Sequence, residues 1–145
     1  MSHPDPQTLA ERVRDGMYAN DHAARGLGMV VQAIGPGTAT LTMTVRQDMV
    51  NGHDICHGGL IATLADTAFA YACNAYNEVT VASGFAIDLL APGKLGDVLT
   101  ARCHEVSKAG RTGVYDVEVS NQHGHRVAVF RGRSHTFKDK PVVAG

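Results

Sequence analysis

Net charge is nearly missing from this chain: 13 Lys and Arg stand against 14 Asp and Glu, a formal −1 at neutral pH. Without a cationic excess, nothing argues for a nucleic-acid surface or a polybasic membrane anchor. Long hydrophobic runs are missing too, and none approaches the ~20 residues of a membrane-spanning helix. Met1 to Arg14 is polar and charged and lacks the apolar core of a secretion signal. Tryptophan is absent, and cysteine is scarce: Cys56, Cys73 and Cys103 are odd in number and form no CxxC pair. That excludes a disulfide framework and points to reduced thiols in a cytoplasm-like compartment. No repeat, low-complexity tract or second domain is visible. Residues 1–145 are therefore expected to form one domain, with 1–25 as an N-terminal helix and lead-in and 138–145 as a flexible tail.

What is present is a clear change of period along the chain. Leu9, Val13 and Met17 recur at helical spacing, which predicts a short amphipathic helix punctuated by Gly26 and Gly28. Met29 to Ile34 reads as a strand, Gly35-Pro36-Gly37 as a turn, and Thr38 to Arg46 as a second strand. In that strand Ala39, Leu41, Met43 and Val45 alternate with Thr40, Thr42 and Thr44, the period of two that predicts a hairpin partner. Gln47 to His57 is a loop. Gly58 to about Asn77 is the long central helix. Val79 to Leu90, Asp97 to Val106, Gly113 to Asn121 and His125 to Phe137 follow as β-like runs. Their short links predict antiparallel neighbours, since a parallel crossover needs more chain. One long helix cannot alternate with six strands as βαβ units, so the expected class is α+β, an antiparallel sheet around one central helix.

Asp66 stands out within that helix. Its surroundings from Gly58 to Asn74 are otherwise apolar or small, and no Lys, Arg or His lies between Gly58 and Ala82. An unpaired buried carboxylate costs several kcal/mol, so its presence points to a use as general base or nucleophile. Leu60, Ile61, Leu64, Ala68, Phe69, Ala72 and Tyr76 make the stripe expected to face the sheet. Gly59, Ala62, Thr63, Ala70, Cys73 and Asn74 are expected around Asp66, on a face left for a subunit or a substrate. Gly58-Gly59 at the helix start leaves approachable N–H groups at the positive end of the dipole, suited to an oxyanion. Asp66 follows Gly58 by about 12 Å along the axis, at ~1.5 Å per residue. One carbonyl cannot easily touch both in one chain. Two antiparallel helices about a two-fold axis would pair Asp66 of one subunit with Gly58 of another.

Asn51-Gly52-His53-Asp54-Ile55-Cys56-His57-Gly58-Gly59, followed by Leu64-Ala65-Asp66-Thr67-Ala68-Phe69-Ala70, resembles the hotdog-fold acyl-CoA thioesterases, in particular the PaaI-type group of phenylacetic acid degradation. Val81-Ala82-Ser83 through Ala91-Pro92-Gly93, Gly110-Arg111-Thr112-Gly113 and Val129-Phe130-Arg131-Gly132 match as well, so the resemblance runs from about Asp21 to His135. It implies the same fold, dimers that pair into homotetramers, and active sites at the dimer interface. It implies Asp66 as catalytic carboxylate and Asn51 as the residue holding water or the reacting group. Gly58 would supply the N–H that polarises the thioester carbonyl, His57 a water-positioning main chain, and Ser83 a supporting hydroxyl. It implies no metal and no cofactor, since coenzyme A arrives within the substrate, and an aryl-acetyl preference such as phenylacetyl- or hydroxyphenylacetyl-CoA.

The chemistry accords with these parts. Hydrolysis needs an activated water and a stabilised oxyanion, while a thiolate leaves without a strong acid. Phosphates at the nucleotide end call for cations, with Lys108, Arg111, Arg131 and Arg133 as candidates and the Thr112 hydroxyl as a further contact to the CoA moiety; the arginines read equally as solvated strand-edge charges. From the residues alone Asn51-Gly52 is also a turn dipeptide and Ser83 an ordinary strand serine. His53, Cys56 and His57 have zinc-ligand chemistry but lack a second partner pair, and Cys73 reads as a packing residue. Two rivals remain. A hotdog-fold dehydratase or hydratase would pair a His with the carboxylate, and the helix interior offers none. A non-catalytic acyl-CoA-binding module would leave Asp66 and Gly58-Gly59 without a task.

Overall fold

The strand with alternating threonines forms as its pattern predicts, and the rest of the sheet grows from it. In a computed structural model that describes residues 4–144, β1 (Val30–Gly35) and β2 (Thr38–Thr44) make a hairpin. Gly37 closes its turn at φ +72°, a conformation that needs no Cβ. Ala39, Leu41 and Met43 of β2 are buried, as alternation requires. The N-terminal helix is two helices, α1 (Pro6–Asn20) and α2 (His22–Gly26). Asp21 breaks them apart by capping α2, its carboxylate accepting from Ala24 N–H at 3.1 Å.

Beyond a single 3₁₀ turn at Gln47–Met49 come α3 (Gly58–Asn74), β3 (Thr80–Leu89), β4 (Val98–Ala109), β5 (Thr112–Ser120) and β6 (Arg126–Thr136). Every pairing is antiparallel and the order is β1-β2-β4-β5-β6-β3. One expectation fails here. The short link from β3 to β4 does not join neighbours, because β3 pairs with β6 at the far edge and β4 lies beside β2. The link spans the end of the sheet, and a short link across an end needs no crossover helix. α3 packs against β2, β4 and β5, covering the sheet on one side. Its Phe69 ring sits 5.5 Å from Tyr115 and 5.9 Å from Phe130, over the bare Cα of Gly132.

α3 stops at Asn74, three residues before the expected end, because Asn74 turns its side chain to the next strand. Its Nδ2 donates to the Thr80 carbonyl and its Oδ1 accepts from Thr80 N–H, both at 2.9 Å. Asn77 follows at φ 64°. The polar tail, read above as flexible, is bonded to Asn77: its Oδ1 accepts from Val142 and Val143 N–H, and its Nδ2 donates to the Val143 carbonyl.

Candidate active site

The loop before α3 is held from three sides. Asn51 N–H donates to the Ile55 carbonyl, His57 N–H to Met49, and Cys56 N–H to Gly93 on the β3–β4 link. Asn51 Oδ1 accepts from His53 N–H at 2.9 Å and Ile55 N–H at 3.3 Å, so the residue does form the turn its dipeptide suggests. Its Nδ2 has no acceptor among the described residues and remains a donor for a ligand. The two readings of Asn51 are therefore compatible, one for each side-chain atom.

α3 starts without a side-chain cap at His57. No described residue accepts from Gly58 or Gly59 N–H, so two of the orphan donors of a helix start are bare. The His57 carbonyl is committed to the helix, accepting from Leu60 and Ile61 N–H, which leaves little of its main chain for water. Asn51, His57 and Gly58 line one groove of about 410 Å³. Its other walls are Ile55, Cys56 and Ile61 together with Leu89 to Gly93 of the β3 end and the link. The link residues at the groove, Leu90 to Gly93, carry no titratable group, so Pro92-Gly93 is their one local signal, and it reads as a turn.

Asp66 lies apart from this groove, two turns along α3. It makes no hydrogen bond to a described residue, is half-buried, and burial holds its carboxyl above its ordinary value of 3.8. The two threonines near it do not serve it. Thr63 Oγ1 donates to the Gly59 carbonyl at 2.8 Å and Thr67 Oγ1 to the Thr63 carbonyl at 2.6 Å. The uncovered face of α3 is Gly59, Ala62, Thr63, Asp66, Thr67 and Ala70. Cys73 and Asn74, expected on that face, are buried instead, because the last turn of α3 is enclosed by the sheet and by Thr80. Burial pushes the Cys73 thiol up to about 12, which suits a packing residue and not a nucleophile.

Ser83 is the extra residue of a bulge in β3, between the Ala82–Ser134 and Gly84–Arg133 pairs. Its hydroxyl donates to the Arg133 carbonyl at 3.2 Å and it does not line the groove. Arg131 is not free for a phosphate. It lies on the sheet face opposite α3 in a bidentate pair with Asp116, at 2.6 and 2.8 Å, which keeps that carboxyl below its usual range. Lys108 Nζ stands 4.8 Å over the Tyr76 ring. Thr112 Oγ1 donates to the Ala109 carbonyl and closes the β4–β5 turn that carries Arg111. Lys108, Arg111 and Thr112 share the end of the sheet where β3 begins, whereas Gly58 lies beside Leu89, where β3 ends. Among the described residues no group of three or more His, Cys, Asp or Glu side chains is placed to hold a metal.

Comparison with known proteins bears on this arrangement. A family model described as Thioesterase superfamily matches residues 53–128. The chain is 50% identical to the acyl-coenzyme A thioesterase PaaI of Escherichia coli strain K12, over 82% of this chain and 85% of that protein. The structure of the E. coli PaaI protein from the phenylacetic acid degradation operon superposes with a TM-score of 0.90 at 46% identity, covering 92% of this chain and 96% of that one. A hypothetical thioesterase from Streptococcus pneumoniae TIGR4, solved with coenzyme A, superposes with a TM-score of 0.74 at 26% identity, covering 77% and 90%.

Proposed function

The chain belongs to the thioesterase superfamily and is an acyl-CoA thioesterase, and from that premise we propose that it works as a two-fold dimer with sites shared across the interface. Its six-stranded antiparallel sheet on one long helix is the hotdog fold. In this reading the thioester carbonyl accepts from Gly58 N–H of one protomer, with Asn51 Nδ2 beside it. Asp66 of the other protomer takes a proton from the attacking water, or attacks the carbonyl carbon itself. The carbonyl oxygen gains charge, the C–S bond breaks, and coenzyme A leaves as its thiolate; the water route gives the free acid directly, and direct attack gives an acyl–Asp66 anhydride that a water then hydrolyses to the free acid and Asp66.

The observation that carries this reading is the separation within one chain: bare N–H groups line the groove, while the only uncommitted carboxylate on α3 sits two turns away on an uncovered face. A two-fold axis through the β3 edge would join them. β3 is an edge strand of ten residues, with Val81 and Phe85 45% and 47% exposed, the kind of long apolar edge that proteins cover. The same axis would carry the β4–β5 turn, with Lys108, Arg111 and Thr112, toward the partner's groove and the phosphates of its substrate. The name of the E. coli relative's operon supports aryl-acetyl-CoA as the substrate class. Three free, buried thiols suit a reducing, cytoplasm-like compartment.

The test is thiol release from phenylacetyl-, hydroxyphenylacetyl-, benzoyl- and straight-chain acyl-CoA, with wild type and Asp66→Ala in parallel. We expect the highest kcat/KM for the aryl-acetyl esters and a loss of at least about a hundredfold in the variant. Equal rates in the two proteins would remove Asp66 from the mechanism.

A further inference from the structure

Leu89 occupies a position that packing alone does not explain. It is the last residue of β3 and pairs with Ala128, so the two-residue period puts its side chain with Phe85 and Ile87 on the α3 side of the sheet. There it lies over the start of α3: a β-carbon added to Gly58 would overlap Leu89 Cδ1 and stand 3.7 Å from its Cγ. Yet Leu89 is 52% exposed and Leu90 is 53% exposed, so neither belongs to the core. Both line the groove that holds Asn51 and Gly58, and with Ile55 and Ile61 they make the wall beside the bare N–H groups apolar.

We propose that Leu89 is the residue that sets which acyl groups this enzyme accepts. The inference rests on the thioesterase reading and adds to it the identity of the acyl wall. A thioester whose carbonyl oxygen accepts from Gly58 N–H brings the two groups flanking the carbonyl, the acyl α-carbon and the thioester sulfur, near whatever covers Gly58, and that is Leu89. The pantetheine arm carries amides that need polar partners, and an apolar wall of Leu and Ile offers none. The acyl group is the part that gains from this surface. Leu89 bounds a slot beside the helix start, part of a groove of about 410 Å³, so the size of its side chain sets how large an acyl group fits there.

The experiment compares kcat/KM ratios within each protein, so that a general loss of activity cancels. Leu89→Ala deepens the slot, and the ratio of naphthylacetyl-CoA to phenylacetyl-CoA is expected to rise about tenfold, the discrimination that a small change in an apolar pocket supports. Leu89→Phe fills the slot, and the ratio of phenylacetyl-CoA to acetyl-CoA is expected to fall by a similar factor. Inhibition by free coenzyme A, which has no acyl group, is the readout that an acyl wall does not move; light scattering follows the dimer. Ratios that move less than about twofold in both variants, or a dimer lost in Leu89→Ala, would overturn the assignment and make Leu89 an interface residue. Should wild type release no thiol from any ester, the thioesterase reading falls first. The wall is then tested by calorimetry, through the same preferences in the Kd values of phenylacetyl- and naphthylacetyl-CoA.

Discussion

Gly58 has two attributes that mutation can separate: an N–H without a partner among the described residues and a missing Cβ beneath Leu89. Gly58→Ala crowds Leu89 but keeps the N–H, and Leu89 is exposed enough to move. Gly58→Pro crowds it likewise and removes the N–H. Proline is tolerated at the first position of a helix, and His57 at φ −56° and ψ 134° already has the backbone that precedes a proline. We expect Gly58→Pro to keep its circular dichroism and to lose about 10²–10³ in kcat relative to Gly58→Ala, as when one oxyanion donor is removed. Similar kcat in the two variants would show that this N–H does not bind the reacting oxygen. Asp66 is the second residue with a separable cost. Its folded-state value lies above its unfolded one, so the proton favours the fold. The penalty is absent below the unfolded value near 3.8 and sets in as pH rises through the folded one. Asp66→Asn should therefore raise the melting temperature at neutral pH, with the gain vanishing below about pH 4 in a thermal scan across pH. The acid limb of the wild-type kcat/KM profile should titrate above 3.8 for the same reason.

At the scale of elements, α3 is seated by one aromatic ring over one glycine. A β-carbon at Gly132 would come within 2.8–2.9 Å of three Phe69 ring atoms, and Tyr115 and Phe130 leave that ring no way out. Gly132→Ala should cost about 1–3 kcal/mol in urea unfolding, the range for overpacked cores. A cost within a few tenths would mean that α3 shifts freely on its sheet. The elements themselves were legible because their signals are local. The threonines of β2 alternate with buried Ala39, Leu41 and Met43, and the apolar stripe of α3 repeats at helical spacing. What was illegible depended on partners outside the element itself. Cys73 and Asn74 sit on the Asp66 side by angle, but a side-chain contact to Thr80 draws that turn inward. Arg131 looked like a free cation because Asp116, fifteen residues away in sequence, faces it only across a strand pair.

The whole molecule presents one long unprotected edge. Phe85 stacks on Phe130 at 4.8 Å and is still 47% exposed, near the middle of β3. If β3 forms the two-fold interface, a charge there separates both the subunits and the halves of each site. Phe85→Glu is expected to yield a monomer by sedimentation, with turnover reduced at least tenfold although Asp66, Asn51 and Gly58 are intact. A fully active monomer would place a complete site in one chain and end the shared-site reading.

The candidate catalytic parts were determined by the sequence alone, since each is a local property. Asp66 is a charge within an apolar helix, Gly58-Gly59 is a helix start without side chains, and Asn51-Gly52 is a turn in the loop that precedes them. Tertiary structure decided how those parts are grouped. It carried β3 past β4 to the far edge, brought Leu89 and the Pro92-Gly93 link against Gly58, and left Asp66 facing outward from its own groove. The physical reason is that period and propensity act over a few residues, whereas strand order is set by which apolar faces can be buried together, and that choice spans the whole chain.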